Sequence, residues 1–286
     1  MTVRNFLVLA LLICAPFFAI ASIPTASTIL SRYTRNNGKS AYVIEQEVQF
    51  QTDSEQFVLR EKWMVENATS MYLIVGSDQT GAGAAHMEVL YHDNRRVYFD
   101  NLGTVKSAGL SAEFVEPFMF FHSARGLLDA LQAAKILPSN FGLEKPHITK
   151  IETYKPQPEN LVQLSRSGGV ITYLFGELTP PNVEKLNPGF WIDQDAFTFR
   201  RMRFPSQAEV LADKHAAFVG GLHLPRERTI NWDNHSAIIR VLSVKTLPKS
   251  SRAWFSPNYL TGHAGSAQAL KLPASQQVTE FYARFR

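Results

Sequence analysis

The feature that most constrains this chain is a series of short segments in which β-branched and aromatic residues alternate with polar ones. In the first segment, residues 41–51, the even-numbered positions form one parity, and all of them except Gln46 are apolar: Tyr42, Ile44, Val48 and Phe50. Alternation with a period of two is typical of a strand with one buried face. Because such segments recur at short intervals and are separated by turn residues, the sequence predicts one antiparallel sheet of about ten or eleven strands.

Several segments depart from this pattern and predict helices. Ser123 is a suitable N-cap for a helix over residues 124–136, which has one broad apolar side. Pro117 favours the start of a short helix just upstream, and a further helix is predicted over residues 25–36. An antiparallel sheet must bury its apolar face, and a wide sheet curls. We therefore expect an α+β fold in which helices cover the concave apolar face of a strongly curved antiparallel sheet.

Residues 1–21 have the organisation of a secretory signal peptide. Arg4 precedes an apolar run from Phe6 to Ile20, and a small-x-small step follows. At about 15 residues, the apolar run is short for a permanent membrane span. A lipid-attachment signal at Cys14 is the alternative, although the residue before this cysteine is bulky. Cleavage would release residues 22–286, which we expect to act in the periplasm.

Composition excludes several classes of function. Removal of the signal peptide removes the only cysteine, so the mature chain has neither a disulfide nor a thiol nucleophile. Exported chains without cysteine are typical of the bacterial envelope. The formal net charge is +4, from 29 basic and 25 acidic residues, and no dense basic run occurs. Nucleic-acid binding is therefore disfavoured.

Motifs for catalysis or metal binding are missing from the sequence. Its eight histidines show none of the spacings HxH, HxxxH and HExxH, and there is no GxSxG motif. Asp193 and Asp195 could form an acid–base pair, but their position between two predicted strands favours a hairpin turn. We therefore expect no catalytic residue, no metal and no cofactor. The alternative is a hydrolase whose site is assembled from distant His, Asp and Ser residues.

The chain is rich in aromatic residues, with 20 Phe, 9 Tyr and 4 Trp. These side chains could simply pack a β core, or they could line an apolar cavity that accepts acyl chains. The segment 118–121 is apolar on every side, so it must be buried against the core, a ligand or a partner. The cavity interpretation selects eight candidate ligand-binding residues: Trp63, Tyr72, Phe114, Phe118, Phe121, Leu127, Leu131 and Trp191.

Short motifs in the second half of the chain carry a resemblance to a known family. A strand ends in Trp-Ile-Asp in segment 189–193, and a return strand with basic residues follows in segment 196–200. A Gly-Leu-x-Leu-Pro step in segment 220–225 opens a later strand, and the likeness continues in segment 239–244. This pattern resembles the LolA/LolB-like superfamily of periplasmic outer-membrane lipoprotein-sorting and lipid-carrier proteins. The resemblance implies an incomplete antiparallel barrel, with helices plugging an apolar cavity for lipid.

The function implied by the resemblance is a periplasmic carrier and not an enzyme. It would bind lipid or lipoprotein acyl chains in lipoprotein sorting, outer-membrane biogenesis or envelope lipid transport. The chain departs from the family because no residue matches the arginine that triggers lid opening in the carrier. Arg200, Arg201 and Arg203 could meet lipid head groups, or they could lie on an exposed strand face.

The expected organisation is a single LolA-like domain over residues 22–286, with a C-terminal extension from about residue 250. We expect a monomer whose partners are acyl chains and envelope membrane proteins. The alternative is an envelope sensor or interaction protein of the same fold, in which side chains fill the cavity and protein partners provide the function.

Overall fold

The computed structural model describes residues 23–51, 56–77, 87–99, 104–143, 162–248, 253–262 and 275–286. The signal peptide predicted over residues 1–21 lies outside these ranges. Four helices occur within them: α1 (Ala26–Arg35), α2 (Ala124–Ala133), α3 (Pro257–Gly262) and α4 (Gln276–Arg284). Among the described residues, none of the helices is both long and apolar enough to cross a membrane.

Thirteen strands form one antiparallel sheet whose order is β6-β5-β4-β3-β2-β1-β13-β12-β11-β10-β9-β8-β7. The sheet is open, and β6 and β7 are its two edges. The prediction of an α+β fold built on a strongly curved antiparallel sheet is confirmed. The strands are β1 (Tyr42–Gln51), β2 (Gln56–Asn67), β3 (Ser70–Ser77), β4 (Met87–His92), β5 (Arg95–Phe99), β6 (Val105–Gly109), β7 (Val162–Ser167), β8 (Val170–Gly176), β9 (Gly189–Asp193), β10 (Phe199–Arg203), β11 (Glu209–Ala217), β12 (His223–Trp232) and β13 (His235–Thr246).

The sheet contains more strands than the ten or eleven predicted, and the edge strands explain the difference. β6 has the sequence Val-Lys-Ser-Ala-Gly, which has little β propensity of its own. It pairs with β5 from Phe99 opposite Val105 to Arg95 opposite Gly109. Its backbone hydrogen bonds to a neighbouring strand, and not its residue pattern, therefore define it as a strand.

Helices α1, α2 and α4 pack on the concave face of the sheet, where most of the apolar core lies. Burial alternates along β1, and Val48 and Phe50 are fully buried there. The core extends without interruption from α1 through β1–β4 and β8–β13 to α4. The period-two pattern in the sequence therefore selected the buried face correctly.

Local capping chemistry sets the ends of α1 and α2. The Thr25 side chain accepts a hydrogen bond from the backbone N–H of Thr28, and Ser123 accepts one from Gly126. Both predicted helices are confirmed, but α2 ends at Ala133 and not at 136. Lys135 adopts a left-handed conformation with φ 56, and the Ile136 N–H bonds back to the Leu131 carbonyl at 2.9 Å.

The last helix, α4, was not predicted, although its residues belong to the core. Val278, Phe281, Tyr282 and Phe285 are buried against the concave face of the sheet. The Phe281 ring lies 5.0 Å from the Phe50 ring, edge to face. Spacings of three and four residues between these apolar positions are the helical signal that could have identified α4.

A smaller apolar cluster covers part of the opposite, outer face. Tyr72, Met64 and Leu90 pack there with Phe255, which lies just before α3. Trp254 contacts the Tyr72 ring edge to face at 5.8 Å. The segment around α3 therefore packs on the outer face of β2–β4, whereas α4 packs on the concave face.

Gly38 occupies a position after α1 that no other residue fits without strain. Its φ is +68, and a Cβ there would lie 1.9 Å from the Tyr42 Oη, which donates to the Gly220 carbonyl at 3.1 Å. We expect Gly38→Ala to lower the free energy of unfolding by about 2–4 kcal/mol, through left-handed strain plus overpacking. Urea denaturation followed by circular dichroism measures the change.

Gly168→Ala is the matched control for this substitution. Gly168 has a similar φ of +57, but nothing lies within 4 Å of an added Cβ, so only conformational strain of about 1–2 kcal/mol is expected. Equal losses in the two variants would show that the contact with Tyr42 imposes no constraint.

Candidate functional site

The structure brings six of the eight candidate cavity residues to the concave face. They are Trp63, Phe114, Phe118, Phe121, Leu127 and Leu131, and all belong to or pack against the main core. Tyr72 and Trp191 lie on the outer face instead. The next residue of each strand, Leu73 or Ile192, faces the main core. Because successive side chains of a strand point to opposite faces, Tyr72 and Trp191 face away from that core. An apolar aromatic residue in a strand does not by itself indicate which face it occupies.

Three aromatic rings form a stack at the centre of the concave face. The rings of Trp63 and Tyr91 lie 5.6 Å apart, and the Tyr91 and Phe114 rings lie 4.5 Å apart. Interplanar angles of 25° and 22° make both contacts nearly parallel. The Tyr91 hydroxyl is buried and has no hydrogen-bond partner among the described residues.

The short 3-10 turn Glu116–Met119 and α2 follow Phe114 along the chain and pack in the same core. Pro117 occupies the first turn, as predicted, and the Tyr33 hydroxyl of α1 donates to the Phe118 carbonyl at 2.9 Å. Phe118 and Phe121 contact one another at 6.3 Å between ring centres. Leu127 and Leu131, on the inner side of α2, are fully buried.

A network of buried charged and polar side chains lies directly beneath these helices. We call it the buried charge network; it consists of Gln46, Glu61, Glu116, Arg228 and Arg286, each at most 3% exposed. These residues come from β1, β2, the 3-10 turn, β12 and the segment after α4. The chain therefore brings together residues that are distant in sequence.

Each carboxylate of the buried charge network has an arginine partner. Arg228 Nη1 lies 2.7 Å from Glu116 Oε2, and Arg286 Nε lies 2.9 Å from Glu61 Oε1. Arg286 Nη1 also approaches Glu116 Oε1 at 3.3 Å. Gln46 joins the two halves, because its Nε2 donates to Glu61 at 2.7 Å and its Oε1 accepts from Arg228 at 2.7 Å.

Electrostatic interactions keep Glu116 and Arg286 of this network ionised despite their burial. Burial alone would raise the pKa of Glu116, but the charges of Arg228 and Arg286 and the hydrogen bonds from Arg228 and Gln46 hold that pKa below its ordinary value. Burial alone would lower the pKa of Arg286, and the charges of Glu61 and Glu116 raise it instead. Glu116 is therefore a carboxylate and Arg286 a guanidinium cation at neutral pH.

Sequence reasoning missed this network, although one signal for it was present. Gln46 was recognised as the single polar interruption of an apolar parity in β1. Glu61 lies directly opposite it in β2 and interrupts the parity of Leu59 and Trp63 in the same way. Polar residues at buried positions of two neighbouring strands indicate a shared interior contact.

The described residues leave little free space around the network. A void of about 10 Å³ is lined by Trp63, Glu116, Met119, Arg228 and other core residues. That volume is close to the room needed by one water molecule. In this conformation side chains therefore fill the centre of the concave face.

The arginines of β10 have acidic partners on the outer side of the molecule. Arg201 and Arg203 both pair with Glu209, at 2.6 Å and 2.9 Å, and Arg201 also lies over the Trp191 ring at 4.9 Å. Arg200 pairs with Asp193 at 2.9 Å. These contacts explain their arrangement by local pairing and do not require a phosphate ligand.

Comparisons with known proteins agree with this architecture. No family model and no curated protein matches the chain. A LolA superfamily protein from Nitrosomonas europaea has 11% identity and a TM-score of 0.52, over 83% of this chain and 100% of that one. The chain has the LolA-like fold.

Two further solved structures show the same likeness. A DUF1329 family protein from Desulfovibrio piger has 11% identity and a TM-score of 0.52, with 82% of this chain and 97% of that chain covered. A proposed outer membrane lipoprotein-sorting domain from Vibrio parahaemolyticus has 10% identity and a TM-score of 0.51, with the same coverage.

The motifs that suggested this fold occupy the expected kinds of element. Trp-Ile-Asp ends β9, and the basic return strand is β10. Gly220 and Gly221 have positive φ values of 69 and 73 and connect β11 to β12. In this LolA-like fold the short motifs therefore mark strand ends and turns.

An open groove lies at the rim of the LolA-like sheet. It has a volume of about 480 Å³ between the loop after α2, which includes Leu137 and Pro138, and the end of β8 at Gly176 and Glu177. Volumes of about 300–1,000 Å³ are typical of small-molecule pockets. The groove is thus larger than the void beside the buried charge network, but no residue of that network lines it.

Asp193 closes the turn after β9 and is not half of an acid–base pair. Its Oδ1 accepts from the backbone N–H groups of Asp195 and Ala196 at 2.9 Å and 2.8 Å, and its Oδ2 accepts from Arg200. Burial alone would raise the pKa of Asp193, but the hydrogen bonds from Ala196, Arg200 and Asp195 hold it below its ordinary value. The hairpin interpretation of this motif is the one that the structure supports.

We expect Asp193→Asn to lower the free energy of unfolding by about 1–3 kcal/mol at pH 7, because a charged acceptor is lost. Since the folded-state pKa is depressed, this contribution is present above the ordinary value of 3.8 and is lost as the pH falls through the folded-state value. The difference between wild type and variant should therefore shrink in acid. Urea midpoints measured across the acid range test this, and Asp195→Asn, at an exposed position of the same turn, is the control.

Proposed function

We propose that this protein is an exported carrier that binds lipid or lipoprotein acyl chains on the concave face of its sheet and acts in the periplasm. Residues 22–286 would form the mature domain, released by cleavage of the signal peptide. The proposal includes no catalytic role. Its partners would be acyl chains and the envelope membrane proteins that supply or receive them.

One observation carries the proposal: short, separate elements cover a continuous apolar concave face in a LolA-like fold. The 3-10 turn, α2 and α4 all contribute buried side chains to the core on this face, and ion pairs join the 3-10 turn and the segment after α4 to the sheet. Elements attached in this way can move while the strands stay paired. The similarity to a proposed lipoprotein-sorting domain agrees with this function.

Burial of an acyl chain would supply the binding free energy. At about 25 cal/mol per Å², covering about 300–400 Å² of chain contributes about 8–10 kcal/mol before ordering costs. Because side chains fill the concave face, part of this free energy must be spent on displacing an element that covers it. The affinity would therefore depend on how firmly that element is held.

The filled interior also favours a second candidate, an envelope sensor or interaction protein of the same fold. The void of about 10 Å³ near Trp63 and Glu116 is too small for an acyl chain without movement. In this alternative the concave face is simply a core, and binding of a protein partner to other surfaces provides the function.

Native mass spectrometry of the exported protein separates these candidates. The full chain would be expressed with its own leader, purified from an envelope extract without detergent, and then extracted with organic solvent. A carrier should retain excess mass that extracts as phospholipid or acylated peptide. A protein of clean mass, unchanged after incubation with envelope lipids, would overturn the carrier proposal and favour the interaction protein.

A further inference from the structure

Arg286, two residues after the end of α4, lies among carboxylates and aromatic rings. The Arg286 guanidinium contacts the carboxylates of Glu61 and Glu116. It also lies 5.7 Å from the centre of the Trp63 ring and 4.7 Å from that of the Phe281 ring. Carboxylates combined with aromatic faces are the surroundings that proteins use to hold ammonium and guanidinium groups.

Most of this site belongs to the sheet and to the 3-10 turn and would remain if α4 moved away. Within the buried charge network, Glu116 would then keep Arg228 as its partner, whereas Glu61 would lose its arginine partner. The Glu61 carboxyl group would then be open to another cationic partner. The buried Tyr91 hydroxyl, unpartnered within the described parts of the chain, would be available as a further acceptor.

The rest of α4 provides the apolar counterpart of this cation. Phe281 packs edge to face on Phe50 at 5.0 Å, and Phe285 contacts Trp232 at 5.3 Å. Val278 is fully buried beside them. Helix α4 therefore presents to the concave face an apolar row that ends in a positive charge.

We propose that the concave face beneath α4 is a binding site for a cationic amphiphile, and that α4 occupies this site in the closed state. The apolar side chains of α4 take the place of the ligand's chain, and Arg286 takes the place of an ammonium or guanidinium head group. The inference rests on the proposed function, since it names the position and head-group class of the same acyl-chain site. An anionic head group would be disfavoured, because it would meet two buried carboxylates and one arginine.

Contacts outside the site help to hold α4 in place. Arg284 pairs with Glu113 at 2.8 Å and with Asp233 at 2.9 Å, and its side chain is partly exposed. Neither partner belongs to the buried charge network. Arg284→Gln should therefore release α4 more easily without altering the site itself. Arg125→Gln, which breaks an exposed ion pair with Asp129 on α2, is the matched control.

Calorimetric titration of the full chain with decylammonium and with decanoate, at pH 7, tests the head-group assignment. We expect decylammonium to bind at least about tenfold more tightly than decanoate, since charged hydrogen bonds to Glu61 and Glu116 form with only one of them. Arg284→Gln should strengthen decylammonium binding by about threefold to tenfold, whereas Arg125→Gln should leave it unchanged. Glu61→Gln should abolish the preference for the cation.

Hydrogen exchange read by mass spectrometry locates the ligand in the same samples. Amides of 276–285 should lose protection when decylammonium binds, because α4 leaves the site. Binding with unchanged protection of α4 would overturn the inference. Equal affinities for the two probes, with α4 released, would overturn the head-group assignment while leaving acyl-chain binding intact. If neither probe bound to the wild type or to Arg284→Gln, the proposed site would be overturned. Any lipid found by native mass spectrometry would then have to bind at another place on the protein.

Discussion

Replacing Arg228 by methionine is expected to lower the free energy of unfolding by about 3–5 kcal/mol at pH 7. The substitution removes the 2.7 Å partners of Glu116 and of the Gln46 carbonyl oxygen, both of which are buried. A buried carboxylate without its arginine retains the cost of desolvation and loses the compensating charge. Methionine has a similar reach, so loss of volume contributes little. Urea denaturation followed by circular dichroism gives the difference.

The pH dependence of this difference identifies its cause. In the wild type, the pKa of Glu116 is below its ordinary value of 4.5, so its stabilising contribution is present above that value and is lost as the pH falls through the folded-state pKa. Without Arg228 the folded-state pKa rises, since burial then outweighs the remaining charge. Protonation thus destabilises the variant less than the wild type. The difference in free energy of unfolding between the wild type and Arg228→Met should therefore become smaller below about pH 4.5.

Arg240→Met is the control for this prediction. Arg240 lies on the neighbouring strand β13, is 40% exposed, and pairs with Glu227 at 3.2 Å. An exposed pair of this kind contributes at most about 1 kcal/mol. Two results would show that the buried charge network does not stabilise the fold as described. One is an equal loss of unfolding free energy in Arg228→Met and Arg240→Met. The other is a loss in Arg228→Met that does not depend on pH.

Trp63→Ala is expected to lower the free energy of unfolding by about 3–5 kcal/mol. Trp63 is 2% exposed, stacks on Tyr91, and donates its indole N–H to Glu61 at 3.0 Å. Its removal opens a large cavity at the centre of the concave face and leaves Glu61 with one donor fewer. The same urea experiment measures the loss.

Two further variants separate the parts of this effect. Trp63→Phe keeps most of the ring but removes the donor, and it should cost about 1–2 kcal/mol. Trp254→Ala removes a half-buried tryptophan on the outer face and should also cost about 1–2 kcal/mol. If Trp63→Ala and Trp254→Ala lowered the free energy of unfolding by the same amount within error, the concave face would not be the dominant core.

Features that depend on neighbouring residues in sequence were predicted well. Ser123 caps α2 as expected, and the helix predicted over residues 25–36 forms, with Thr25 as its N-cap. The alternation in β1 identified its buried face. Such features depend on backbone geometry and on side-chain contacts over a few residues, so the local sequence contains the information for them.

Features that depend on long-range pairing were predicted poorly. Tyr72 and Trp191 were assigned to the cavity but lie on the outer face, because a one-residue change of parity reverses the direction of a strand side chain. Strand β6 exists through its hydrogen bonds to β5. The edge strands therefore raised the strand count above the expected value.

The sequence by itself determined the antiparallel sheet, its buried parity, two helices, the N-cap of one of them, and the resemblance that the LolA-like fold later supported. Only the tertiary structure decided that α4 lies on the concave face and that Arg286 meets Glu61, which is 225 residues away along the chain. The reason is physical: a buried charge is tolerated only where an opposite charge is brought to it, and that distance is set by the folding of the whole sheet. The proposed ligand site consists of such contacts, so it could be located only once the strands were in register.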